Sequence, residues 1–358
     1  MSNKTVVKSV QLGLLREQLN QSFRTALGTH ETLENILFIM ELNDGTKGYG
    51  EAAIATHITG ETIKETVDNL EDIRRRFVGK NIRDYLKVSS ELHYRYPHNK
   101  SAIAAVETAL LDALTKQWKI PLWKFFGDRP KIFNTDITIV IADLKETEET
   151  VKKYYRQGFR QFKVKIGKDF DLDIKRLKSI KRLAPKSDIY LDANQGYTAE
   201  QTLKFLKALN KIKVTPKLLE QPVPRDDYEG LKKITHSTKI PVCADESVRS
   251  LSEAAWIIEE KAATIINIKF MKFGVILSRE IALLARANNV DLMMGGMLES
   301  SIAMTAAAHM AVGLGFFKYI DLDTPFFIKK EVEKNPYLSS RGVYNLSKVK
   351  PGIGLKIE

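Results

Sequence analysis

The chain has 358 residues, of which 44% are hydrophobic, and it carries a formal net charge of +12. This length and composition can bury one large core or two smaller ones. The single cysteine, Cys243, excludes an internal disulfide and fits a reducing compartment.

The N-terminus and the apolar segments indicate a soluble, cytoplasmic protein. Met1–Val10 lacks the apolar region of a signal peptide. The longest apolar segment, Ser301–Phe317, is interrupted by Thr305 and His309 and is too short to span a bilayer, so we interpret it as a buried helix. Lys and Arg are spread through every segment, which is typical of a solvated surface rather than of a nucleic-acid-binding face. Attraction to an acidic partner is the alternative.

The first part of the chain predicts an α+β unit. Asn35–Leu42 has the composition of a strand, residues 43–45 that of a turn, and Lys47–Ala52 that of the returning strand. A helix is predicted over Ser101–Lys119, where apolar residues share one stripe and Ser101 is placed to cap the first turn. We assign residues 1–128 to this unit.

From about Asp136, short apolar segments alternate with helix-period segments, which predicts a parallel sheet. The eight predicted strands are Ile137–Ala142, Phe162–Ile166, Ile189–Ala193, Leu218–Pro222, Pro241–Ala244, Ile265–Phe270, Asp291–Met294 and Tyr319–Leu322. Eight βα repeats indicate an α/β fold of the TIM-like (β/α)8 barrel class. An open doubly wound sheet is the alternative, but no Gly-x-Gly-x-x-Gly turn follows any strand. We assign residues 129–325 to the barrel and residues 326–358 to a segment that returns to the first, capping unit.

Carboxylates end three successive predicted strands. Asp192, Glu220 and Asp245 lie at the ends of strands three, four and five, where barrel enzymes build their active sites. Because neighbouring strands would bring the three together, a bound cation is expected to compensate for their buried charge. A ligand set of oxygens without His or Cys favours Mg²⁺. The alternative is that the three residues are unrelated helix N-caps.

Lysines occur on two strands that lie opposite each other in an eight-stranded barrel. Lys163 and Lys165 are two residues apart on strand two, so both should face the interior. Lys269 ends strand six. Lys165 and Lys269 would then flank a substrate, one removing a proton and the other delivering one to the opposite face. Mg²⁺ would stabilise the enediolate. Solvated lysines on an edge strand are the alternative, which barrel closure disfavours.

Two aspartates follow the eighth strand. Asp321 and Asp323 should both point inward, where they would bind a cationic group such as an ammonium. A loop cap with a salt bridge is the alternative interpretation. Glu299, after strand seven, is interpreted either as support for the site or as a helix cap. Cys243 and His309 are interpreted as packing residues.

Together these motifs resemble the enolase superfamily and, within it, the muconate-lactonizing-enzyme-like subgroup. The similarity covers nearly the whole chain and includes Gly48–Ala52 (GYGEA) and Ala104–Leu110 (AAVETAL). The implied residues are Asp192, Glu220 and Asp245 for Mg²⁺, Lys165 and Lys269 for acid–base chemistry, and Lys163 as support for Lys165. No His follows strand seven, which disfavours the mandelate-racemase-like branch.

The Asp-x-Asp at 321–323 and the run FRTAL at 23–27 most resemble the dipeptide epimerases, in particular the L-Ala-D/L-Glu epimerases of peptidoglycan turnover. The resemblance implies that the two aspartates hold the free ammonium while the α-carbon of the second residue is inverted. Met297 and Arg24 are predicted to contact the substrate, and Asn194 and Glu299 to support the site. Gly28 stands where those enzymes carry an Arg for the Glu side chain.

The sequence therefore predicts a Mg²⁺-dependent epimerase of L-Ala-L-Xaa dipeptides, with L-Ala-D/L-Glu favoured. We expect a homo-oligomer with no nucleic-acid or membrane partner. One alternative is another reaction of the subgroup, namely N-acylamino acid racemase, o-succinylbenzoate synthase or cycloisomerase, whose substrates lack the free ammonium that Asp321 and Asp323 would bind. The other is a basic, non-catalytic binding protein, which would not need lysines and carboxylates facing inward.

Overall fold

The computed structural model describes residues 3–26, 28–127 and 132–357. The predicted boundary between residues 128 and 129, and Leu27 of the FRTAL run, lie outside these ranges.

The capping unit is built on a three-stranded antiparallel sheet in the order β1-β2-β3. Its strands are β1 (Val7–Arg24), β2 (Thr29–Leu42) and β3 (Lys47–Ala52). The turn and β3 agree with the prediction, whereas β1 was not predicted. Its residues include many good helix formers, and only Val7 and Val10 are fully buried while the others are partly buried or exposed, so no apolar period marks it as a strand.

Five helices follow the sheet: α1 (Thr56–Thr59), α2 (Ile63–Phe77), α3 (Tyr85–Arg95), α4 (Lys100–Gln117) and α5 (Trp123–Phe126). The long helix α4 is buried over most of its length and packs directly on β3. A Cβ atom at Gly50 would collide with the Ala105 carbonyl oxygen, so glycine is required for this close approach. The predicted cap was wrong: α4 begins after Asn99, and the Ser101 hydroxyl donates to the buried carboxylate of Glu61.

Eight parallel strands follow, in sequential order around the second domain, and confirm the predicted barrel. They are β5 (Ile137–Ile139), β6 (Gln161–Lys165), β7 (Asp188–Asp192), β8 (Leu218–Glu220), β9 (Val242–Ala244), β10 (Ile265–Ile268), β11 (Asp291–Met294) and β12 (Tyr319–Ile320). The first and last strands are joined where the Asp136 amide donates to the Ile320 carbonyl at 3.0 Å. This bond brings the two ends of the sheet together, as barrel closure requires.

Helices connect the strands and surround them. They are α6 (Leu144–Gln157), α7 (Phe170–Leu183), α8 (Ala199–Lys211), α9 (Tyr228–Ser237), α10 (Leu251–Glu259), α11 (Phe270–Phe273), α12 (Val275–Ala287) and α13 (Ser301–Leu314). A short helix, α14 (Glu331–Lys334), follows the last barrel strand. The apolar segment at 301–317 forms the buried helix α13, as predicted. Among the described residues, no helix has both the length and the apolar character needed to cross a membrane.

The C-terminal segment contacts both the barrel domain and the capping unit. Strand β13 (Val343–Asn345) pairs antiparallel with β4 (Ile132–Asn134), just before the barrel begins. Further on, the Ile353 amide donates to Asp112 of α4 at 2.7 Å. His309 is the packing residue that the sequence predicted, because its Nδ1 accepts from the Trp123 amide and its Nε2 lies 3.1 Å from the Ile353 carbonyl.

The barrel interior separates an apolar layer from a polar one. The apolar layer contains Tyr190, Leu218, Cys243, Ile265, Met293 and Tyr319, which form their own buried cluster. Because side chains two residues apart on a strand face the same way, Asp192, Glu220 and Asp245 lie above this layer, toward the C-terminal ends of the strands. The predicted packing role of Cys243 is confirmed.

Candidate active site

A cavity of about 360 Å³ lies at the C-terminal ends of the barrel strands, beneath the capping unit. Its floor includes Lys163, Lys165 and Lys269, together with Asp321 and Asp323. Its outer wall comes from the β1–β2 hairpin and from the segment after β3. The cavity therefore joins the two domains over the polar layer of the barrel.

The three carboxylates predicted to bind metal are brought together and are fully buried. Asp192 pairs in register with Glu220, and Asp245 follows the next strand. Burial raises the pKa of Glu220, and neighbouring Asp192 adds to the effect, bringing it to about 8. Burial also opposes ionisation of Asp192, but Lys165 and Lys163 outweigh it and hold the pKa at about 2. Neighbouring negative charge thus opposes ionisation of Glu220, whereas nearby positive charge favours the ionised form of Asp192.

Four lysine ammonium groups surround these carboxylates. Lys163 Nζ lies 2.7 Å from Glu220 Oε2 and 3.1 Å from Asp192 Oδ2. Lys165 Nζ donates to Asp192 Oδ2 at 2.6 Å. The remaining two ammonium groups belong to Lys269 and Lys272, and both contact Asp245 at 2.7 Å. Burial disfavours the charged form of Lys269, but Asp245 outweighs it and raises the pKa of the ammonium.

The donor set fits a hard divalent cation. Glu220 Oε2 and Asp245 Oδ2 are buried, and neither accepts a well-directed hydrogen bond from any described residue, although an ammonium lies close to each. Asn267 Nδ2 donates to the other Glu220 oxygen at 2.7 Å and so orients the carboxylate. Buried carboxylate oxygens that accept no well-directed hydrogen bond are suitable ligands for an ion such as Mg²⁺.

The second group of carboxylates lies on the opposite side of Lys163. Asp321 Oδ2 is 2.6 Å from Lys163 Nζ, and Asp323 Oδ2 accepts from the Thr138 amide at 2.5 Å. Burial and the charge of Asp321 raise the pKa of Asp323 to about 7. Both aspartates face the cavity, as predicted, and form a negative site with room for a cationic group.

A third carboxyl, Asp136, completes this group and was not predicted. One oxygen atom from each of Asp136, Asp321 and Asp323 lies within 4.8 Å of the others. Asp136 is fully buried, and neither of its oxygens has a hydrogen-bond partner among the described residues. Burial and the two neighbouring aspartates raise its pKa well above the usual range. No sequence pattern marks Asp136 as a site residue, because it precedes the first barrel strand. Only closure of the barrel brings it beside the eighth strand.

The other predicted residues divide into three that reach the site and one that does not. Asn194 Oδ1 accepts from Lys165 at 2.9 Å, and Met297 lines the cavity. Glu299 Oε1 accepts from the Met297 amide at 2.6 Å and therefore supports the site; α13 is capped by Ser300 instead. Arg24 does not line the described part of the cavity.

The guanidinium of Arg24 is engaged elsewhere. It donates to both carboxylate oxygens of Glu146 in α6, at 2.8 and 3.2 Å. A bidentate pair of this kind fixes the direction of the side chain. The prediction that Arg24 contacts the substrate is therefore not supported by its position.

Lys272 and Glu246 also reach the site without having been predicted. Lys272 Nζ donates to the Asp245 carboxylate and to the Asn267 carbonyl. Glu246 Oε1 accepts from Asn194 Nδ2 at 3.3 Å, and burial raises the pKa of Glu246 to about 7. The signal for Glu246 was its place directly after Asp245 at a strand end, whereas Lys272 lies in a short helix that no strand pattern would reveal.

Glu299 is expected to give the fold a pH dependence. Burial raises its pKa from 4.5 to about 8, so between these values the folded protein holds a proton that the unfolded chain has lost. Stability should therefore fall as pH rises through this window. Relative to Glu299→Gln, the wild type should lose at least about 3 °C in Tm between about pH 5 and about pH 9. Calorimetry checks this.

The exposed Glu259 provides the matched control for that measurement. Glu259→Gln should follow the wild type over the whole pH range, because an exposed carboxyl is solvated alike in both states. A Glu299→Gln protein whose Tm falls in parallel with the wild type would contradict the prediction.

Comparison with known proteins places this architecture in one family. Residues 10–127 match the mandelate racemase/muconate lactonizing enzyme N-terminal domain, and residues 146–358 match the enolase C-terminal domain-like family. The chain is 41% identical over 358 residues to the hydrophobic dipeptide epimerase of Citrifermentans bemidjiense, covering 98% of this chain and 97% of that protein.

Two solved structures resemble it along their whole length. The substrate-liganded L-Ala-D/L-Glu epimerase of Bacillus subtilis has a TM-score of 0.94 at 31% identity, with 98% of each chain covered. The Enterococcus faecalis dipeptide epimerase complexed with Mg and L-Leu-L-Tyr has a TM-score of 0.92 at 29% identity, covering 98% of this chain and 100% of that one.

Proposed function

The chain belongs to the muconate-lactonizing-enzyme-like subgroup of the enolase superfamily and is an isomerase of the dipeptide epimerase kind, and we propose that it inverts the second residue of L-Ala-L-Xaa dipeptides by proton transfer between two lysines. The observation that carries this proposal is the placement of Lys165 and Lys269. Lys165 ends β6 and Lys269 directly follows β10, two strands that lie four apart in the eight-stranded order, and both lysines line one cavity.

Each lysine has a distinct task. One, as the neutral amine, removes the proton from the α-carbon of the second residue, while the other, as the ammonium, delivers a proton to the opposite face. Net inversion then leaves the two lysines with exchanged protonation states. Asn194 and Asp192 hold the Lys165 amine from one side, and Asp245 holds Lys269 from the other.

Enolase superfamily members use a divalent metal. In this chain we propose Mg²⁺ held by Asp192, Glu220 and Asp245, where it would bind the substrate carboxylate and stabilise the charge that develops as the α-proton leaves. Lys163, between the metal ligands and Asp321, is placed to contact the same carboxylate.

Asp321 and Asp323 are proposed to bind the free α-ammonium of the first residue. A buried anionic pair is well suited to a cation and unfavourable for a neutral N-acyl group. This feature supports a dipeptide over the other reactions of the subgroup, since N-acylamino acids, cycloisomerase substrates and the o-succinylbenzoate precursor have no ammonium to place there.

The cavity wall favours an uncharged second residue over the Glu that the sequence favoured. Arg24 is paired with Glu146, and no Lys or Arg is found among the described residues that the hairpin and positions 54–63 contribute to the wall. That wall instead carries two carboxylates, Glu31 and Glu34, and apolar side chains such as Ile54 and Ile58. Glu34 is paired with Arg16 at 2.8 Å, whereas Glu31 accepts from the Ser22 hydroxyl, so an anionic side chain would meet like charge mainly at Glu31. The name of the Citrifermentans bemidjiense relative, a hydrophobic dipeptide epimerase, agrees with this proposal.

The test is α-proton exchange in D₂O with Mg²⁺, followed by mass spectrometry and polarimetry. We expect deuterium in the second residue of L-Ala-L-Leu and L-Ala-L-Phe with loss of optical purity, and kcat/KM at least about tenfold higher than for L-Ala-L-Glu. N-acetyl-L-Ala-L-Leu, which lacks the ammonium, should react at least about 100-fold more slowly. Faster turnover of N-acylamino acids than of any dipeptide would favour the racemase alternative instead.

A further inference from the structure

Two capping-unit motifs remain without a role in the chemistry. Glu51 belongs to GYGEA on β3, and Glu107 belongs to AAVETAL on α4. Both carboxylates are 1% exposed, and neither lines the described part of the cavity. A buried carboxylate needs several donors to offset its lost hydration, so the identity of those donors indicates what each residue does.

Glu107 caps a helix of the other domain. Its Oε2 accepts from the amides of Val275 and Ile276, at 2.5 and 2.9 Å, in the first turn of α12. Helix α12 begins after Gly274, which has no side chain to serve as a cap. A negative charge at a helix N-terminus also interacts favourably with the helix dipole. The capping unit thus supplies the N-terminal capping oxygen of α12, which in most helices comes from a residue adjacent to the helix in sequence.

Glu51 makes the equivalent contact with α13. Its oxygens accept from the amide and hydroxyl of Ser300, at 2.9 and 2.6 Å, and from the Ala303 amide at 3.3 Å. Asn35 donates to Glu51 at 2.6 Å and to the Leu298 carbonyl at 2.9 Å. Glu51 and Asn35 together attach the sheet of the capping unit to the segment that carries Met297.

The segment before α12 carries two lysines of the site. Lys269 directly precedes α11, and Lys272 lies within it, so α11 separates Lys269 from the turn that Glu107 holds. Helix α11 packs closely on α4, the helix that carries Glu107. Lys165 is held differently, because the helix after its strand, α7, is capped locally by Asp169. The two lysines are therefore fixed by different parts of the molecule.

We propose that Glu107 and Glu51 are positioning residues that couple the capping unit to catalysis, with Glu107 fixing Lys269 and Glu51 fixing the Met297 segment. The prediction specific to this arrangement is asymmetry between the two half-reactions. Loosening the turn held by Glu107 displaces Lys269 and leaves Lys165 in place. Misplacing a catalytic group by about 1 Å lowers its rate by about 100-fold. The kinetic part of this inference rests on the proposed function.

The experiment compares deuterium exchange from the two epimers separately, using L-Ala-L-Leu and L-Ala-D-Leu. Exchange without inversion needs only the lysine that faces the α-proton. The epimer served by Lys269 is identified as the one that Lys269→Met no longer exchanges. In Glu107→Ala, exchange of that epimer should fall at least about tenfold more than exchange of the other. Glu107→Gln, which keeps an acceptor oxygen but loses the charge, should show the same asymmetry to a smaller extent and serves if the alanine variant fails to fold.

Asp143→Ala is the matched control, because Asp143 caps α6 from its own chain neighbourhood by accepting from the Glu146 amide. It should slow neither epimer selectively. Glu51→Ala should instead raise KM for both epimers more than it lowers kcat. Equal slowing of both epimers in Glu107→Ala and Glu107→Gln would overturn the role assigned to Glu107.

Amide hydrogen exchange separates this inference from the proposed function. Glu107→Gln should lose protection at residues 275–278, and Glu51→Ala at residues 300–304, relative to Asp143→Ala. If these losses of protection occurred but the wild type turned over no dipeptide, the proposed function would be contradicted. The coupling of the two domains would still be supported. Unchanged protection in both variants would overturn the coupling itself.

Discussion

Methionine in place of Lys165 or Lys269 is expected to reduce net epimerisation by about 10³- to 10⁴-fold, since each variant lacks one of two groups that must transfer a proton. Methionine approximates the unbranched apolar stem of lysine and removes the ammonium. The losses in exchange should be complementary. Each variant should still exchange the α-proton of one epimer of L-Ala-Leu with D₂O, and that epimer should differ between the two variants.

Lys168→Met is the matched control for these variants. Lys168 follows the same strand as Lys165 but is exposed, so its loss should leave epimerisation within about twofold of the wild type. Two outcomes would contradict the two-lysine mechanism. One is that Lys165→Met and Lys269→Met lose exchange of the same epimer; the other is that either retains full epimerisation.

Loss of a metal ligand is expected to have an effect of similar size. Asp192→Asn should lower kcat by at least about 10³-fold, because neutral amide oxygen binds Mg²⁺ poorly and the charge that develops on the substrate carboxylate is then unbalanced. Removing divalent ions with a chelator should abolish activity of the wild type, and added Mg²⁺ should restore it. Calorimetric titration should show Mg²⁺ binding to the wild type weakened at least about tenfold by the substitution.

The same strand offers the control for this variant. Asp188 begins β7 at the opposite end of the barrel from Asp192. Asp188→Asn makes the same chemical change and should alter neither Mg²⁺ binding nor kcat by more than about twofold. Full activity of Asp192→Asn, or of metal-free wild type, would show that the carboxylate cluster does not hold a catalytic cation.

The sequence was sufficient for the barrel and for most of its polar layer. Strand geometry places residues two apart on one face, so Lys163 and Lys165 could be assigned to the interior without coordinates. The C-terminal ends of neighbouring parallel strands meet at one end of a barrel, so Asp192 and Glu220 could be expected to lie together. Both inferences depend on regular spacings that backbone geometry imposes on strands and on their side chains.

The β1–β2 hairpin shows where prediction from strand geometry fails. Strand β1 is polar and half-exposed over much of its length; Val7 and Val10 near its start join the core, and the rest is held mainly by its pairing with β2. Arg24 ends this strand, and nothing local decides whether it turns toward the cavity or toward Glu146. The second residue that we propose for the substrate depends on that choice: sequence reasoning favoured Glu, whereas we propose an uncharged side chain.

What the sequence by itself determined was the order of the barrel strands, the barrel, and the carboxylates and lysines at the strand ends, because these follow from local backbone periods and from one topological rule. Only the tertiary structure brought Asp136 beside Asp321, set Lys272 on Asp245, and carried Glu51 and Glu107 to helices of the other domain. Such contacts join segments far apart in the chain, and their partners are decided by how whole elements pack, which no local period encodes.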